Sequence, residues 1–133
     1  MLKKSPSGSL CPYYYMGGEL HPLKYGSFFK DKNRLFKIME EEEAFILNAP
    51  GENNRRIWID LYETTIDNEV IEKLAAHILR IQNKIFKVCF VGCGFFTKQK
   101  IRKAMAYIKL DLADQVRFFS DPETAKMWLV GKY

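Results

Sequence analysis

No apolar stretch of this chain is long enough to cross a bilayer, and the opening Lys3-Lys4 runs into Ser-Pro-Ser-Gly-Ser instead of an apolar segment. A spanning helix and a secretory signal are therefore not expected, and a cytoplasmic setting is. Cysteine is scarce. Cys11, Cys89 and Cys93 are an odd number at spacings that suit neither a disulfide framework nor a four-ligand zinc site, so reduced thiols are expected. Histidine is scarcer still: His21 and His77 have no acid or thiol placed beside them by spacing to make a triad or a metal site. The phosphate-cradling Gly-Lys-Ser/Thr is missing as well. These gaps leave no complete catalytic constellation, no metal site and no expected cofactor.

What is present is ordinary for a globular domain. The 133 residues are 47% hydrophobic, 28% charged and 14% aromatic, enough to bury a core without staples. The net charge of +5 is uneven: six Lys or Arg stand against two acids in the first 34 residues, and Glu40 to Glu43 form an acidic run. This balance permits contact with acidic surfaces without requiring it, and nucleic acid is not expected as a partner.

Pro6, Gly8, Pro12, Gly17, Gly18, Pro22 and Gly26 break residues 1–26 too often for a helix, so this segment reads as an extension, extended or partly disordered, ahead of a single domain over 27–133. Residues 34–40 and 44–48 read as a hairpin through Glu41 and Glu42. The competing reading is one helix from Lys30 to Leu47, which the Glu run favours by propensity.

Beyond Arg56 the pattern alternates. Residues 57–62 make a β-rich run, and Val70, Ile71, Leu74, Ile78 and Ile81 recur at helical spacing within 65–81, with Asp67 or Thr65 as cap. Residues 85–92 are nearly all apolar, as in a strand buried on both faces. A helix over 97–110 capped by Thr97, a strand over 115–119 and a last helix opened by Ser120-Asp121-Pro122-Glu123 complete the cycles. Short links between such units imply parallel strands joined by right-handed crossovers.

Ile59-Asp60-Leu61 before a helix starting near Asp67, then Val88-Cys89-Phe90-Val91-Gly92, then the phrase from Val116 to Leu129, resemble STAS-type domains, named for sulfate transporters and anti-sigma factor antagonists. The resemblance spans about residues 34–131 and is nearest to small stand-alone bacterial members. It implies an α/β, SpoIIAA-like mixed sheet with an N-terminal hairpin, three strand-helix units and helices packed on the sheet. It also implies a non-enzymatic regulatory or protein-interaction role with another protein as partner. Two departures stand out. Where the antagonists carry Asp-Ser-Ser-Gly with a phosphorylated Ser, this chain has Asp67-Asn68-Glu69-Val70, so phosphoserine switching there does not carry over. The helix those domains hold between their second and third strands would have to fit into residues 48–56, which is too short.

Candidate sites follow from both lines. Thr64, Thr65, Asp67, Asn68 and Glu69 form the expected interaction or regulatory loop, with Asp60 and Glu63 as nearby carboxylates whose plainer role is capping and solvation. Gly92, Cys93, Gly94, Thr97 and Lys98 lie between a buried strand and a helix, where open α/β sheets bind anions or small ligands. Tight turns use such glycines anyway. Cys93, ahead of a helix carrying Lys98 and Lys100, is a candidate reactive thiol without a visible base; Cys89 reads as an inert buried one, and His77 as a polar-face histidine. The basic helix from Lys98 to Lys109 reads as a solvated face.

Overall fold

The computed structural model describes residues 3–108 and 115–131. Its centre is Ile57-Trp58-Ile59, three consecutive buried residues in the strand β5 (Arg55–Asp60). Ile57 and Ile59 join one apolar cluster and Trp58 another, because successive side chains of a strand point to opposite faces. Both faces of the sheet are therefore covered.

Around β5 the sheet contains β3 (Tyr13–Tyr15), β4 (Gly18–Lys24), β6 (Ile85–Val91) and β7 (Val116–Phe119), in the order β3-β4-β5-β6-β7. β3 runs antiparallel to β4, and β4, β5, β6 and β7 are mutually parallel. A separate two-stranded ribbon pairs β1 (Lys3–Lys4) with β2 (Leu10–Cys11). Helices α1 (Lys32–Leu47), α2 (Asn68–Ile81) and α3 (Phe95–Tyr107) line up on one face, whereas α4 (Pro122–Leu129) packs across β5, β6 and β7 on the other. This is a mixed five-stranded α/β sheet with four helices upon it. No helix among the described residues is long and apolar enough to cross a membrane.

The hairpin expected over 34–48 is a helix. Leu35, Met39, Glu42 and Ile46 are buried at spacings of four, three and four, one stripe of α1 that no pair of strands could bury together. Asp31 caps the helix by accepting from the Arg34 amide. The hairpin of the sheet comes from the segment expected as an extension. β3 and β4 form it, and Leu20, His21, Pro22 and Leu23 are buried. Pro22 is tolerated because β3 pairs only with Gly18 to Leu20, so the missing N–H opens no gap in that ladder.

The later units stand within a few residues of expectation. Asp67 caps α2 through the Val70 amide, and Asp121 caps α4 through that of Thr124. α3 starts two residues early, with Gly94 at the cap position in place of Thr97, and makes no side-chain cap bond. The expected end of that helix at Lys109 and Leu110 lies outside the described residues.

Candidate functional site at the carboxyl edge of the sheet

Four parallel strands end on one edge, so the loops after β4, β5, β6 and β7 are neighbours. Two of them are laced together by backbone bonds. Ser27 N donates to Tyr62 O at 2.6 Å, Phe29 N to Glu63 O at 2.8 Å and Thr65 N to Phe29 O at 2.7 Å. Thr64 completes the lacing: its hydroxyl donates to Tyr25 O at 2.6 Å and accepts from Phe28 N at 3.1 Å. Ser27, Phe29 and Glu63 all take left-handed backbone angles, φ 64°, 53° and 58°. Such residues cost on the order of 1–3 kcal/mol each and persist only where the surroundings fix them.

The expected interaction loop is thus one rigid structure with distinct roles. Thr64 is spent on holding the loops, whereas the side chains of Thr65, Asn68 and Glu69 are exposed. Lys32 of α1 reaches Asp67 at 2.9 Å and Glu69 at 2.8 Å. The bonds from the Val70 amide and from Lys32 hold the Asp67 carboxyl below its ordinary pKa. Asp60 accepts from the Tyr62 amide, and burial raises its pKa. Glu63 accepts from the Ser27 hydroxyl. The carboxylates near the end of β5 serve turns and caps.

At the expected ligand turn, Gly92 has φ 87°, and a Cβ there would lie 2.7 Å from the Tyr62 amide nitrogen. Only glycine fits. After β6 the chain turns to the α3 face and after β7 to the α4 face, so the crevice that open α/β sheets use for ligands falls between these two strand ends. Tyr62 occupies it. Its ring packs over Gly92 and its hydroxyl donates to Ser120 O at 2.9 Å. Cys93 turns toward the main core, and burial pushes its thiol up to about 11, which disfavours the thiolate. Burial pushes the Cys89 thiol up as well. Lys98 is set over the Phe118 ring at 6.0 Å.

Residue-by-residue sequence reading missed the aromatics of this edge. Phe29, Phe95 and Phe96 are 61%, 67% and 79% exposed, and Tyr62 is partly so. The signal was present in Phe95-Phe96 at a helix start, where both rings cannot face the core.

Sequence reading also missed two buried polar networks. Glu42 is fully buried on α1 and accepts from the Ser5 hydroxyl at 2.8 Å, from Ser7 N at 2.9 Å and from the Ser7 hydroxyl. His21 Nε2 lies 3.1 Å from its other oxygen. Burial alone would raise the Glu42 pKa, but His21 and the two serines outweigh it and hold the group charged. Burial likewise opposes charge on His21, yet Cys11 and Glu42 beside it raise its pKa to about 9. In the second network His77 is buried, contrary to the polar-face expectation. It lies 2.8 Å from the Tyr25 hydroxyl and 3.0 Å from Glu43, which Arg80 also grips at 2.9 Å. Burial lowers the His77 pKa, so it serves as a neutral bridge. A glutamate on the apolar stripe of α1 was the clue to the first network, since a buried carboxylate demands partners.

Among the described residues no group of three His, Cys, Asp or Glu side chains is arranged to hold a metal ion. Compared with family models, curated proteins and solved structures, the chain matches none.

Proposed function

We propose that the chain is a non-enzymatic protein-interaction domain of STAS-like type, working in the cytoplasm without the phosphoserine switch, and that it docks its partner at the carboxyl edge. The observation that carries this reading is the set of outward aromatics at this edge, Phe29 on the laced loops and Phe95 and Phe96 at the start of α3. Exposed rings cost water contacts in a free monomer, and a rigid aromatic surface is what partner proteins bind with least loss of entropy. The exposed Thr65, Asn68 and Glu69 supply a polar rim beside it. The free thiols Cys11, Cys89 and Cys93 suit a reducing compartment.

The alternative, a small ligand or anion at Gly92 to Thr97, would require Tyr62 to leave the crevice it fills. The test is quantitative capture from an extract of the source cells by wild type and by a Phe29→Ser/Phe96→Ser variant. Both sites are exposed, so melting temperature should be unchanged. The expected result is a defined protein retained by wild type and reduced at least about tenfold by the variant. Equal retention by both would reject the edge as the docking surface.

A further inference from the structure

β5 and β6 are parallel neighbours, and each leads into a helix on the same face of the sheet. α2 and α3 therefore lie side by side, and both start from the carboxyl edge. Between them runs an open groove of about 580 Å³, apolar from Ile71, Ala76 and Leu79 of α2 to Ala104 and Ile108 of α3. Tyr107, in the last turn of α3, also lines it and is 88% exposed. No other large apolar side chain among the described residues is exposed to that degree. An open apolar groove beside an unsupported aromatic ring is a surface that association covers.

The charges along the groove are sorted by helix. Glu72 stands on the α2 rim, and Lys100 and Lys103 stand on the α3 rim. All three are exposed, and none takes part in an ion pair among the described residues. Glu72 is the fifth residue of α2 and Lys103 the ninth of α3, so the two are staggered along the groove by about 6 Å. A two-fold axis through the middle of the groove reverses the helices and exchanges α2 with α3. It sets the first half of α2 against the second half of α3 from another copy. Glu72 then faces Lys103, Ile71 faces Tyr107, and each contact is made twice.

We propose that the α2–α3 groove is the contact face of a symmetric homodimer, in which Tyr107 of each copy enters the groove of the other and Glu72 pairs with Lys103 across the two-fold. Charge selects this occupant. A partner of one charge sign leaves one rim of the groove unmatched or repelled, whereas a second copy matches both rims at once. Dimerisation leaves the carboxyl edge open, since Phe29, Phe95 and Phe96 do not line the groove.

The test is sedimentation equilibrium of the full chain at low salt, over a concentration series reaching about 0.5 mM, where even a weak interface is populated. Wild type should pass from monomer to dimer and no further, because a two-fold contact closes on itself. Glu72→Lys and Lys103→Glu should each weaken the dimer at least about tenfold, since each sets like charges opposite one another twice. An equal mixture of these two variants should recover the wild-type affinity, because the heterodimer has opposite signs at both contacts. Tyr107→Ser should also weaken association at least about tenfold. The three side chains are exposed, so the melting temperature of the dilute monomer should not change in any variant. A wild-type chain that stays monomeric throughout, a dimer indifferent to Tyr107→Ser, or a mixture no tighter than the single variants would overturn the proposal.

Discussion

Glu42 occupies a helix position that its neighbours Leu35, Met39 and Ile46 assign to the core, and four groups meet it there. The burial of this charge makes stability depend on pH in a definite direction. His21 keeps its proton to about 9 in the folded chain, whereas an unfolded histidine loses it near 6.5. Between these values the folded state binds more protons, so stability is fully present below about pH 6.5 and falls as pH rises toward 9. The Glu42 pKa is lowered, and its contribution is present above the unfolded carboxylate value and fades in acid. Stability should therefore decline from mildly acidic to alkaline pH by on the order of 1–3 kcal/mol, read as a falling melting temperature, and His21→Gln should flatten that decline. A profile equally steep in the variant would assign the dependence to other groups.

At the scale of elements, α2 shows how much hangs on a single cap. Asp67 accepts from the Val70 amide and takes Lys32 from α1, so it fixes the helix start and the seam between the helices. Asp67→Ala should lower the denaturant midpoint, with most of the loss coming from the cap because the ion pair is exposed. No change in stability would mean that the cap is dispensable. Caps and spacing of this kind were legible in the sequence: β5, α2, β6, β7 and α4 stand within a few residues of where Val70 to Ile81 and Asp121-Pro122 put them. The first half was not. Glu40 to Glu43 masked the apolar stripe of α1, because two of these glutamates are consumed by buried partners, His21 and His77, that only the fold brings near. β4 was hidden by Pro22 and by glycines that signal loops in isolation, yet Leu20 and Leu23 carry its buried apolar side chains and Tyr25 follows directly after it into the core. The loop from Thr64 to Glu69 and the turn at Gly92 were legible as neighbours. The lacing through Ser27 and Phe29 was not, since no local pattern announces a contact across about thirty-six residues.

For the molecule as a whole, the two ends of the sheet are built differently. The amino edge holds a pocket lined by Cys11, Phe45 and Arg55 among others, and the carboxyl edge presents exposed aromatics beside Tyr62, whose ring lies over Gly92 and whose hydroxyl reaches Ser120 O. On the reading proposed above, docking would need little rearrangement, because the loops after β4 and β5 are already bonded to each other. Amide hydrogen exchange on the captured complex, compared with the free protein, tests this most directly. Docking at the carboxyl edge predicts added protection over residues 26–30, 61–67 and 94–98, with the helices α1 and α4 unchanged. Protection confined to other segments, such as the amino ends of the strands, would contradict it.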